Sequence, residues 1–333
     1  MTFSERVREV AAHGFTDRQS EFLVTVMLHS GVCMDRQYCT FARIPHGRKS
    51  YDFFQSLVRD RYATAYACAH SRARIFHLQN HPLYEAIGEP DNRFRRPVPI
   101  ARAVERLMLL DTILATDGTT WLATERDKVA HFSLLLHSRL QRGDLPHLTF
   151  RSGQQETIRY FPDKMPIGLH TDGRHIFTYL LNRPAPVDFR AFLHRHTDLL
   201  RALAVWTVRL LVPSHLLKAV PRYEAAWREE IASPLRPSTA DELRWYFEER
   251  RRLDGGAAQA TEPLTSRFEK AREAFNAPRF RVLYRSWLLN GQPVLDSTVS
   301  SVLGDALARH SGVLDTYVLS HRYLHLAHLV TTA

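Results

Sequence analysis

The spacing of apolar and polar positions changes several times along the chain, and each change marks an element. In "TDRQSEFLVTVMLHSG" the apolar residues recur at helical spacing, with Thr16 as the N-cap and Gly31 as the stop. "MDRQYCTFARI" reads as a second, short helix broken by Pro45 and Gly47. A third helix opens at "GRKS". It places Phe53, Phe54, Leu57 and Val58 on one face, with Lys49, Asp52, Gln55, Ser56 and Arg59 on the other. The period then drops to two. "YATAYAC" alternates as a strand, "AHSRA" is a turn, "RIFHLQ" is a second strand, and "HPLYEAIG" is a short helix closing at Gly88.

The next stretch, "EPDNRFRRPVP", is rich in proline and arginine and reads as a linker over residues 89–99. It separates a first domain, residues 1–88, from a second, residues 100–333, in a chain long enough for two. In the second domain "IARAVERLMLLDTILA" predicts an amphipathic helix, and "TTWLATERDKVAHFSLLL" a strand leading into a helix. "TIRYFPDKMPIGLHTDGRHIFTYLLNRP" predicts three strands with a turn at "TDGR". From Asp188 to about residue 220 the pattern reads as helical, and "RYEAAWREEIA" as a further helix. Ser238 or Thr239 caps another helix that runs to "DGG", and "GGAAQATEP" reads as a flexible loop. The fold class expected is α+β: a small N-terminal domain, then a larger mixed α/β domain with a helical C-terminal part.

The order helix, helix, turn, helix, strand, turn, strand is that of a winged helix, whose third helix enters the major groove while the hairpin touches the neighbouring backbone. Charge supports that placement. The chain carries a net charge of +10, which favours an acidic partner, and nucleic acid before a membrane surface. From Arg36 to Arg74 there are eight Lys or Arg residues against Asp52 and Asp60. Arg48 and Lys49 stand where the helix N-terminus also favours phosphate. Ser50, Gln55 and Arg59 face phosphates or base edges, and Arg72 and Arg74 lie at the hairpin tip. These seven are the candidate DNA-binding residues.

"RQSEFLVTVMLHSGVCMDRQYCTFARI" and "GRKSYDFFQSLVRDRYATAY" resemble the winged helix-turn-helix domains of bacterial regulators. With "WLATERDK" and "YFPDKMPIGL" downstream, the chain also looks like replication-relaxation-type mobile-element proteins. The resemblance implies a winged helix ahead of a restriction-endonuclease-like α/β domain, and a role in transcription, replication or transfer.

A magnesium-dependent nuclease of that kind needs a helical acid, a Pro-Asp at a strand end and an acid-x-Lys on the next strand. Glu125 and Pro162-Asp163 are candidates for the first two. The third position reads "HIFTYLLNRP", with Thr178, Leu180 and Asn182 where carboxylate and lysine belong. The second domain is therefore expected to be a degenerate nuclease-like fold. His321, His325 and His328 fall on one face of an expected C-terminal helix, and His194 and His196 on another, both read as packing. Cys33, Cys39 and Cys68 form no CxxC pair and read as small, reduced, buried residues. No nucleotide-binding or serine-hydrolase motif occurs, and no metal or cofactor is expected.

The first fifteen residues are charged and lack an apolar core, and no run is long enough to span a membrane. The expectation is a cytoplasmic, non-enzymatic protein that binds double-stranded DNA with sequence preference, as a homodimer and away from membranes. The alternatives are a magnesium-dependent endonuclease with an unconventional site around Glu125 and Asp163, and a winged-helix scaffold that binds protein.

Overall fold

The computed structural model describes residues 1–68, 73–152, 155–255 and 262–326, and the fold is α+β. The first two helices, α1 (Phe3–Ala11) and α2 (Asp17–His29), both start from capping boxes. Thr2 pairs reciprocally with Glu5, and Thr16 with Gln19. A two-residue strand, β1 (Val32–Cys33), leads to α3 (Asp35–Ala42) and α4 (Arg48–Arg59). The strands β2 (Ala63–Ala67) and β3 (Arg74–Leu78) come next, then α5 (His81–Ala86). The sheet is antiparallel in the order β1-β3-β2, with Val32 opposite His77 and Ala63 opposite Leu78.

One face of α4 holds this unit together. Phe53, Phe54 and Leu57 are buried, and Phe54 meets Phe76 of β3 at 4.4 Å between ring centroids. Tyr38 of α3 lies 4.5 Å from Phe53. Residues 89–99 pack onto the same unit through buried Phe94, whose carbonyl lies 2.9 Å from His77 Nε2. This close approach requires glycine at Gly31, which has a φ of +71° and would place a Cβ 2.4 Å from the Phe94 carbonyl oxygen.

The long helix α6 (Ile100–Ala115) joins the unit to the larger sheet. Its Asp111 accepts two hydrogen bonds of 2.7 Å from Arg36 of α3 and one of 2.9 Å from Gln37. Leu107 and Met108 share a core with Ile75 on one side and with Leu180 and Leu211 on the other.

The remaining strands are β4 (Thr119–Leu122), a hairpin of β5 (His147–Ser152) and β6 (Gln155–Tyr160), β7 (Ile167–His170), β8 (His175–Leu180), β9 (Trp206–Val212) and β10 (Gly312–Val318). The helix α7 (Glu125–Leu135) comes after β4, and α8 (Val187–Ala202) crosses from β8 to β9. Between β9 and β10 come α9 (Val220–Trp227), α10 (Pro237–Asp254), α11 (Glu262–Ala274), α12 (Pro278–Asn290), α13 (Pro293–Val299) and α14 (Val302–Ala308). The five-stranded sheet runs β10-β9-β8-β7-β4, with β8, β9 and β10 parallel and β7 antiparallel to both its neighbours. Helices α10 to α13 enclose a separate core around Phe247, Tyr284 and Trp287.

Three expectations are corrected. The stretch from Asp188 to about residue 220 is not one helical region, because Trp206–Val212 is a strand near the middle of the sheet. A parallel strand covered on both faces reads as an unbroken apolar run, which periodicity cannot separate from a buried helix. Its one charge, Arg209, is answered by Asp315 directly across on β10, with 2.7 Å between Nε and Oδ2. Next, α10 begins at Pro237, so Ser238 and Thr239 lie inside its first turn and proline takes the position its missing N–H suits. Finally, the expected histidine-faced C-terminal helix is a short 3-10 turn at Leu324–Leu326, so His321 and His325 share no α-helical face. His328 lies outside the described residues, as do the "AHSRA" turn from residue 69 to 72 and the loop from 256 to 261. Among the described residues no helix is long and apolar enough to cross a membrane.

Candidate nucleic-acid interface

Burial of Phe53, Phe54 and Leu57 turns the opposite face of α4 to solvent. Arg48 and Lys49 are exposed there, Arg48 over 93% of its side chain. Ser50 is not part of that surface. It is buried, and its hydroxyl donates to the Gly47 carbonyl at 2.9 Å, shaping the start of the helix. Gln55, one turn on from Tyr51, links the helix to the hairpin. With its amide oxygen turned toward β3 it accepts from both terminal nitrogens of Arg74 at 3.1 and 2.9 Å, the orientation that satisfies both of its polar atoms. Arg59 ends the helix, exposed and bonded to Asp60 at 2.8 and 3.0 Å. Arg72 lies outside the described residues.

The fold therefore brings Arg48, Lys49, Gln55, Arg59 and Arg74 onto α4 and the adjoining strand. It adds an aromatic that the polar-face pattern passed over. Tyr51 is 57% exposed, and the Arg74 guanidinium lies 6.0 Å from its ring. Its sequence position, three after Arg48 and four before Gln55, was the available signal. Tyr66 on β2 is exposed as well.

Not every cation between Arg36 and Arg74 belongs to this surface. Arg36 is held by Asp111, and among the rest Arg48 lies 3.6 Å from Asp52 and Arg59 lies beside Asp60. The Arg59 contact also holds the Asp60 carboxyl below its ordinary pKa, chiefly through the side-chain hydrogen bond. Exposed pairs of this kind add little to stability, so they exchange readily for a phosphate.

The other candidates lie on α7 and in the turn before β7, beside the larger sheet. Glu125 opens α7, and its Oε1 accepts from the Tyr160 backbone N–H at 2.9 Å. Asp163 sits in the turn between β6 and β7, where its Oδ1 accepts from Arg195 of α8 and its Oδ2 is buried with no protein partner. The void beside it measures about 10 Å3, room for a single water. On β8, Thr178 donates to the Pro166 carbonyl at 2.7 Å. The nearby lysine comes from α7: Lys128 is buried, donates to the Met165 carbonyl at 2.6 Å, and is pulled down to about 7 mainly by burial and then by Arg93. This arrangement fixes Asp163 to a helix and leaves no acid-x-Lys on the adjacent strand.

The histidines are packed. His196 is buried and lies 2.9 Å from the Phe192 carbonyl, while His194 lies 3.3 Å from Glu230. Burial lowers both, to about 4 for His196 and about 3 for His194. His131 and His175 meet through their Nε2 atoms at 3.0 Å. Among the described residues there is no group of three or more His, Cys, Asp or Glu able to hold a metal ion. The three cysteines are free and buried, and burial pushes the thiols of Cys33 and Cys68 up. In comparisons with protein-family models, curated proteins and solved structures, nothing matches this chain.

Proposed function

We propose that the chain is a DNA-binding protein in which α4 and the β2–β3 hairpin act as a winged helix on double-stranded DNA, with sequence preference and without chemistry of its own. The observation that carries the reading is an α4 surface with exposed Arg48, Lys49 and Arg59, coupled through Gln55 to Arg74 at the turn end of β3. Arginine and lysine at such positions bond phosphates, while glutamine and arginine read adenine and guanine edges. In this reading the protein acts in transcription, replication or transfer control and works as a homodimer. The exposed Leu288 and Leu289 of α12 are apolar surface available for that contact.

The second domain fits a nuclease-like frame that lacks the reaction. β7 and β8 are adjacent antiparallel strands, the relation a Pro-Asp and acid-x-Lys pair requires, but Arg195 holds Asp163 and Thr178 stands on β8. The test is fluorescence anisotropy on a library of duplexes in roughly 0.1 M salt. Replacing Arg48, Lys49 and Arg59 together with alanine weakens binding roughly a hundredfold and leaves the thermal melt in place. Unchanged affinity overturns the proposal.

A further inference from the structure

A second charged surface has no residue of α4 in its lining. The face of the β5–β6 hairpin carrying Leu148, Phe150, Thr157 and Arg159 forms one wall of a groove of about 1000 Å3. The register places these four on one side, since Leu148 lies opposite Arg159 and Phe150 opposite Thr157. The other wall is the segment from Gly88 to Arg96, and the floor includes Lys128, Phe161 and Lys164.

The groove is lined by the cations Arg93, Arg96, Arg126, Arg159 and Lys164, with the buried Lys128 beneath them, against Glu89, Asp91 and Glu125. Two of those acids are engaged: Glu89 pairs with Arg6 and Arg126, and Glu125 accepts from Tyr160 N–H. The cations crowd one another. Arg93 donates to the Lys164 carbonyl at 3.1 Å, and its pKa is lowered to about 10 by burial and then by Arg106. Lys164 is lowered by burial and then by Arg93, Arg102, Arg106 and Arg159. A field of this sign is relieved by an arriving anion. The hairpin wall adds a flat ring, with Phe150 54% exposed.

We propose that this groove is a path for single-stranded DNA, its phosphates along Arg159, Lys164 and Arg96 and a base stacked on Phe150. Cations interleaved with an exposed aromatic suit an unpaired strand, because a base inside a duplex offers no free face. A groove this size takes a few nucleotides and is too small to admit a duplex. The inference shares the nucleic-acid reading above but rests on different residues, and the two fail separately.

The experiment is anisotropy of the full chain with a labelled oligo(dT) of about fifteen nucleotides, alongside oligo(rU), polyglutamate as competitor and a duplex. Arg159→Gln with Lys164→Gln weakens oligo(dT) binding at least tenfold, and Phe150→Ala weakens it about tenfold, with unchanged thermal melts. The α4 triple variant loses the duplex and keeps oligo(dT). Four results each overturn the groove proposal: no oligo(dT) binding, binding indifferent to these substitutions, tighter binding of oligo(rU), or equal displacement by polyglutamate. Loss of duplex binding alone by the α4 variant leaves the α4 reading standing in all four cases.

Discussion

On α4 the Arg48 side chain is 93% exposed, and its ion-pair partner Asp52 lies on the same helix at 3.6 Å. In the turn before β7 the Asp163 side chain is 16% exposed and fixed by Arg195 of α8. Both regions hold residue types that proteins use on DNA, and the fold treats them in opposite ways. A charge that keeps its water and a weak local partner exchanges readily with a phosphate. A carboxylate that has lost its water to a neighbouring arginine is a strut, and a metal must break the pair to reach it. In the proposed function the contrast separates binding from cleavage.

The largest expected effect that tests this contrast is acid sensitivity. His29, His194 and His196 are buried, and burial lowers their pKa values to about 3, 3 and 4. The folded values lie below the unfolded one near 6.5, so the unfolded chain takes up protons that the folded chain refuses. The stability these neutral imidazoles provide is complete above pH 6.5 and is lost as pH falls toward 4. The slope is up to about 1.4 kcal/mol per pH unit for each imidazole. Urea unfolding at pH 7.5 and pH 5 checks this, and equal midpoints would sink it. His196 lies beside the Asp163 turn, so His196→Phe should flatten part of the profile, whereas substitutions on α4 leave it alone.

Next comes Asp163→Ala, which leaves Arg195 partly buried without its partner. It costs roughly 2–4 kcal/mol, read as a drop in the urea midpoint. Incubation with plasmid and Mg²⁺ provides the functional arm. No cleavage is expected from either protein, and cleavage abolished by the substitution would turn the comparison around.

Lys128→Met tests the same desolvation with a smaller effect of opposite sign. The folded pKa of about 7 lies below the ordinary lysine value of 10.5, so the stability its neutral amine allows is lost as pH falls from 10.5 toward 7. Removing the amine should raise stability at pH 7 by roughly 1 kcal/mol after loss of the Met165 hydrogen bond. A lower midpoint would contradict this. Arg48→Ala sits at the bottom of the scale, within about 0.5 kcal/mol of wild type by the same measurement.

The same distinction shows what the sequence makes legible. α4 could be read because it buries one face, leaving a period of 3.6 in the letters, and α2, buried all round from Phe22 to His29, could be read from its Thr16 cap and its Gly31 stop. Trp206–Val212 could not, because it is covered on both faces, and β1 is only two residues long. Arg36 looked like the other cations of its stretch, since nothing local announces that its partner Asp111 stands 75 residues on. Ser50 has the right residue type for a DNA contact and the wrong side of the helix. The basic groove draws its walls from three separated segments, and only the fold assembles it.

The most direct measurement is the salt dependence of duplex binding for wild type and for the Arg48, Lys49 and Arg59 triple alanine variant. Each phosphate contact adds about 0.9 to the slope of log K against log salt. The wild-type slope should be steeper by about two to three than that of the variant, whose binding is correspondingly weak. Equal slopes with equal affinities would contradict it.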